Sequence, residues 1–213
     1  MSETAEPRRR MTAEERRRVI ELAATEVFAE RGYSASMDEI ARRSGVSVPV
    51  LYDHFDSKLD LHKRLLERHF ADLRAIWHEQ LAGDDPPERR IARAFDAWFA
   101  YIHDHRYAWR MLFQDTTGEP EVEAIHREVA AQSRAAVLPL LAREPGAGNI
   151  AGSDPEALDM AWEVVRAVLQ GLAVWWYGHQ HVPRDRVVTT AMNALWLGFE
   201  RVRRGETWRQ PGA

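Results

Sequence analysis

The chain has 213 residues, 45% of them hydrophobic and 29% charged, with a formal net charge of −4. That apolar share is enough to build a core, which argues against a disordered tail or a fibre, and the charge offers no bulk attraction to nucleic acid. Having no cysteine, the chain cannot form disulfides, thiolate metal sites or a thiol nucleophile.

In chain order, the apolar spacing is helical almost throughout, and no stretch alternates long enough to predict a strand. Four [Ser/Thr]-x-x-[Glu/Asp] boxes mark helix starts at Thr12/Glu15, Ser36/Glu39, Ser57/Asp60 and Ser153/Glu156. Residues 1–11 read as a flexible arm. Helices are expected over Thr12–Arg31, Met37–Ser44, Val48–Phe55, Ser57–Ala82, Glu88–Asp104, Arg106–Asp115, Pro120–Leu141, Asp154–His179 and Pro183–Arg204. Pro139 should kink or end its helix, and the Gly/Ala/Pro-rich run Glu144–Gly152 predicts an exposed loop. This is an all-α chain of about nine helices. The stretch Val164–Tyr177 is interrupted by Arg166 and Gln170, and no apolar leader opens the sequence, so a cytoplasmic protein with no membrane partner is expected.

Two short helices joined by Ser44-Gly45-Val46 form a helix-turn-helix, with Gly45 placed where the chain needs a positive φ. Ile40, Ala41, Val46, Leu51 and Phe55 should face inward beneath Ala23, Val27 and Phe28 of the first helix. Such a unit places its second helix in the major groove of double-stranded DNA. Ser47, Val48, Pro49 and Val50 would then meet base edges, with Ser47 also capping the helix. Tyr52, His54 and Lys58 are spaced to reach phosphates. Residues 1–58 carry ten Lys/Arg against eleven Asp/Glu, so binding needs the basic groups sorted onto one face. The arginines of Arg8–Arg18 read either as an arm on DNA or as a solvated tail.

Gly32-Tyr33, Ile40-Ala41, Ser44-Gly45-Val46-Ser47 and Leu51-Tyr52-Asp53-His54-Phe55-Asp56-Ser57-Lys58 resemble the DNA-binding region of the tetracycline-repressor (TetR) family. The resemblance implies an all-α homodimer that represses transcription until a small molecule binds its C-terminal part. It assigns residues 12–56 to DNA binding and 57–213 to ligand binding and dimerisation. The family often has a basic residue where Val48 stands and a small hydroxyl residue where Val50 stands. Two valines imply apolar contact with thymine methyls, with Arg42 or Arg43 assisting.

The helix from Ser57 carries the stripe His62, Leu66, Phe70, Leu73, Trp77 and should serve as a lever between the two parts. The last two helices are apolar on two faces, which points to a two-fold four-helix interface between copies, or else to two interior helices. A pocket for a hydrophobic effector is expected among Trp77, Phe95, Trp98, Phe99, Ile102, Trp109, Met111, Phe113, His126, Trp162 and Arg166. Arg166 needs a partner in Glu163, a ligand carboxylate or water. Rival readings are a DNA-binding protein with no small-molecule input, architectural or protein-regulated, and more remotely an all-α metal enzyme. His103-Asp104-His105, His179-Gln180-His181 and Glu123-x-x-His126 invite the latter, but a di-iron bundle needs a second Glu-x-x-His and no catalytic motif is legible. No cofactor, metal site or catalytic residue is expected.

Overall fold

The computed structural model describes residues 11–113, 119–143, 147–151, 156–206 and 208. Among the described residues there are ten α-helices and one 3-10 turn, without a strand. Helix α1 (Ala13–Arg31) starts at a closed capping box: Glu15 N–H donates to the Thr12 hydroxyl at 3.1 Å, and Thr12 N–H donates to the Glu15 carboxylate at 2.7 Å. A 3-10 turn (Gly32–Ser34) leads to α2 (Met37–Ser44), opened by a second closed box at Ser36 and Glu39. Gly45 ends α2 in the left-handed region, at φ 70° and ψ 22°. Space around it is open, so backbone conformation and not crowding selects glycine there.

Helix α3 (Val48–Tyr52) is shorter than the sequence predicts. The amides of His54 and Phe55 both donate to the Leu51 carbonyl, at 3.0 and 2.9 Å, and this tightening ends the helix and turns Phe55 into the core. Helix α4 (Lys58–Leu81) follows, its Ser57 cap accepting from Asp60 N–H at 3.0 Å. At 1.5 Å per residue it spans about 36 Å, and it buries the whole expected stripe together with Leu61, Leu65 and His69.

Around α4 lie α5 (Pro87–Asp104), α6 (Arg106–Phe113) and α7 (Pro120–Ala142). Pro139 does not stop α7 at once: the helix runs on to Ala142, although the proline has no N–H to offer the carbonyl one turn back. The predicted loop after it contains α8 (Ala147–Ala151). Ala147 is buried and the Asn149 amide donates to the Arg203 carbonyl, so packing recruits an alanine-rich segment that composition alone reads as punctuation. Helices α9 (Ala157–Tyr177) and α10 (Arg184–Arg203) complete the body. The Trp176 indole donates to Val182 O at 2.8 Å across their turn, and Arg184 grips Asp96 of α5 at 2.7 and 3.2 Å. Ser153 lies outside the described residues, as do Arg8–Arg10 and residues 114–118.

One continuous core runs from Ile20, Phe28, Leu51 and Phe55 through Leu61, Leu65 and Leu66 to Phe99, Trp109 and Met111. The helix-turn-helix is therefore built onto the body and not tethered to it. By contrast, Val164, Val174 and Trp175 on α9 and Leu197 on α10 are 44–57% exposed. One face of these helices is left uncovered by the chain itself, so they are not both simply interior.

Candidate nucleic-acid interface and buried cavities

The reading end is assembled by α2, the Gly45 turn and α3. Ile40, Ala41 and Leu51 are buried against α1, which fixes the outward faces of both short helices. Ser47, Pro49 and Tyr52 are exposed, and Val50 is half-buried. Val48 turns partly into the core, so of the two valines Val50 is the freer for a base contact. Ser47 does not cap α3 through its hydroxyl. Pro49 at the second helical position has no N–H to offer, which removes one of the two amides a cap normally serves. The hydroxyl is thereby left uncommitted at the tip.

Charge pairing sorts the basic groups more sharply than the sequence does. Arg43 is taken up by α1: it reaches Glu26 at 2.9 Å and Glu30 at 2.8 Å, and that pairing holds Glu30 below the usual carboxylate range. It thus braces α2 to α1 and is less available for a base contact than Arg42. Arg17 pairs with Glu21, Arg18 with Glu14 and Arg31 with Glu39. Among the described residues before α4, Arg42 and Arg16 have no carboxylate partner, and Arg42 stands exposed beside the turn.

Lys58, expected on phosphate, is engaged inside the protein. Its ammonium donates to Tyr33 O at 2.7 Å and Ala35 O at 3.2 Å, and lies 4.1 Å from the Tyr33 ring centroid. His54 is half-buried beside Phe55, leaving Tyr52, 52% exposed, as the clearest phosphate candidate of the three.

Behind the interface, His62 of α4 is fully buried among Phe28, Tyr33 and His126, with ring centroids at 4.8, 5.2 and 5.8 Å. Neither ring nitrogen has a partner among the described residues, and burial pushes its pKa down to about 3. His126 is also held low by burial. The pair is neutral near pH 7 and joins α7 to the helix-turn-helix core.

Two large cavities flank α4. One, of about 630 Å³, lies between α4, α7 and α9 and is lined by Trp77, Phe113, His126, Trp162 and Arg166 from the sequence-derived set. Trp98, of the same set, lines it as well. Phe99 and Met111 do not, being fully buried core, and Ile102 faces the second cavity. Aromatic periodicity marks the right helices but does not tell the cavity wall from the layer behind it. Residues missed include Phe70, Leu73, Arg74, Ser133 and Arg134; Arg74 lies one turn before Trp77, a signal that was available. Arg166 pairs with Glu163 at 2.6 Å and with Gln170 at 2.9 Å.

The second cavity, of about 660 Å³, has many charged and polar residues in its lining and lies where α1, α4, the end of α5, α6 and the end of α9 meet. His69 faces it and is held near 4 by burial. The Tyr101 hydroxyl donates to Asp72 at 3.2 Å, so it accepts from His69 Nδ1 at 2.7 Å, which fixes the imidazole tautomer. A smaller apolar cavity of about 90 Å³ lies beyond Trp77 and Trp162, where Phe95 is found. The histidines of the metal motifs do not converge: His105 and His179 each bond the carbonyl one turn back, and no group of three or more metal-ligating side chains forms among the described residues. No helix among them is long and apolar enough to cross a membrane.

Residues 20–65 match the family model for bacterial regulatory proteins of the tetR family. The chain is similar to the HTH-type transcriptional activator FasR of Mycolicibacterium smegmatis, with 32% identity over 195 residues covering 91% of this chain and 87% of FasR. Its fold is similar to a TetR-like transcriptional regulator from Rhodococcus sp. RHA1, at a TM-score of 0.70, 18% identity, and 90% and 99% coverage of the two chains. The fatty acid degradation regulator FadR from Bacillus halodurans superimposes at a TM-score of 0.71, with 16% identity and 89% and 99% coverage.

Proposed function

The chain belongs to the TetR family of bacterial regulatory proteins and is a DNA-binding transcriptional regulator; from that premise we propose that it is a homodimer whose grip on a palindromic operator is set by a small, largely hydrophobic effector. The observation that carries this reading is a shared helix. One end of α4 is clasped to the helix-turn-helix by Lys58, and its middle forms a wall of the cavity of about 630 Å³. That volume is in the ordinary range for small-molecule sites. An effector that prefers one tilt of α4 moves the reading head with it, and a preference of roughly 1–3 kcal/mol changes operator affinity about 5–150-fold.

The exposed apolar residues of α9 and α10 support pairing of two copies through a four-helix contact. Two α3 helices then meet half-sites about 34–36 Å apart, or a multiple of that. Ser47, Pro49 and Val50 face the bases, Tyr52 the backbone, and Arg42 either one.

Release of a repressed promoter is the first reading of the output. A second is activation, favoured by the name of FasR, which matches 91% of this chain. Geometry at the operator is the same in both; what differs is whether the site overlaps the promoter or lies upstream. Selection of bound duplexes from a random pool tests the proposal. An inverted repeat supports a dimeric regulator, and the recovered duplex then serves as the probe for compounds that shift affinity. A featureless, salt-sensitive smear would sink it.

A further inference from the structure

The cavity between α4, α7 and α9 has an apolar interior and an arginine-rich lining. Phe70, Leu73, Trp77, Trp98, Phe113 and Trp162 supply the interior. Arg74, Arg127, Arg134 and Arg166 face the same space, against Glu163 as its acidic residue. Three of these arginines already have carboxylates: Arg127 with Glu123 at 3.7 Å, Arg134 with Asp159 at 3.5 Å and Arg166 with Glu163 at 2.6 Å. Arg74 differs. It is half-buried, and its recorded hydrogen bond goes to a neutral group, the Ser133 hydroxyl, at 3.3 Å. Among the described residues no carboxylate lies within ion-pair distance of it. His126, neutral through burial, adds no charge.

A guanidinium with a fork of donors, one hydroxyl partner and no counter-ion among the described residues, set at the edge of an aromatic cavity, is a site for a planar anion. Resting on the reading of this cavity as the effector site, we propose that the effector is an amphipathic monoanion. Its carboxylate pairs with Arg74 and Ser133, and its apolar body lies against Trp77, Trp98 and Trp162. A neutral molecule of the same shape leaves Arg74 unpaired and so forfeits the main polar contact.

The test uses the full-length protein with decanoate, decanol and decylamine below their micellar concentrations, read by calorimetric titration and by binding to the selected operator. Decanoate should bind tightest and shift operator affinity. Arg74→Gln should weaken decanoate about tenfold to a hundredfold while leaving decanol unchanged, and Arg74→Lys should restore part of the loss. Unliganded Arg74→Gln should melt no lower than the parent, since a charge without a counter-ion has been removed. Equal binding of decanoate and decanol, or an Arg74→Gln variant indifferent to the carboxylate, overturns the inference while leaving a neutral effector possible. If none of the three binds, the anionic reading is rejected. If a broad set of neutral apolar compounds then also fails to move operator affinity, effector control itself is rejected.

Discussion

The ammonium of Lys58 lies 2.7 Å from the carbonyl oxygen of Tyr33 and 4.1 Å from the centroid of its ring. The first residue of the lever helix is thereby fastened to the turn that follows α1, so α4 cannot tilt without carrying the reading head. A side chain that the sequence places on phosphate is engaged here as a joint.

Replacing Lys58 with Met separates these roles. As a joint, it contributes about 1–2 kcal/mol through charge-assisted hydrogen bonds and the ring contact. Lys58→Met should therefore lower the denaturation midpoint and weaken operator binding evenly across sequences. The slope of log K against log salt should not change, whereas loss of a phosphate contact lowers it by about 0.9.

Arg42 and Val50 should divide between affinity and choice of base. Tyr52→Ala should weaken all duplexes alike. Val50→Ser should change the preferred base at one position of each half-site, by about 1–3 kcal/mol. Arg42→Ala should reduce the salt slope by about one counterion if it meets phosphate, and relax one base position if it meets a base edge. Selection from random duplexes with each variant gives the result; equal losses on every site for all three would refute this division.

His62 makes stability depend on acidity. Burial holds its folded pKa, about 3, below the 6.5 of a free imidazole, as it does that of His69, about 4. The unfolded chain therefore binds more protons between these limits. Stability is fully present above about pH 6.5 and falls as pH drops, by at most about 1.4 kcal/mol per pH unit for each histidine. His62→Phe should keep the edge-on packing against Phe28 and Tyr33 and remove one proton from that dependence. Urea unfolding at pH 7.5 and pH 5 measures it, and an unchanged slope would contradict the role given to His62.

Leu197 is 57% exposed on the uncovered face of α10. Leu197→Asp places a charge where a second copy is proposed to pack, which costs several kcal/mol if the site is desolvated. Sedimentation should show a monomer with unchanged helical content, and operator affinity should fall more than tenfold. A dimer that persists would move the interface elsewhere.

Much of this was legible in the residues themselves, because the relevant physics is local. Capping boxes at Thr12 and Ser36 and the glycine at 45 act within a few residues of themselves, so helix starts and the helix-turn-helix follow from spacing alone. The stripe from His62 to Trp77 follows from the helical repeat. Local rules fail where packing or pairing joins distant segments. Only the tertiary structure brings Glu26 and Glu30 against Arg43 and makes it a brace between α1 and α2. Likewise it folds Tyr33 over Lys58, packs α8 against α10, and separates Trp162, on a cavity wall, from Phe99, fully buried behind one. Arg74 is the sharpest case: in the sequence it is one of many arginines on a helix, and what sets it apart is its place on an aromatic cavity wall with no carboxylate within ion-pair distance among the described residues. Apart from α8, the sequence determines where the helices form and which face most of them bury, because hydrogen bonds and periodicity are short-ranged. Which charges remain uncompensated depends on neighbours far along the chain, and the fold alone decides that.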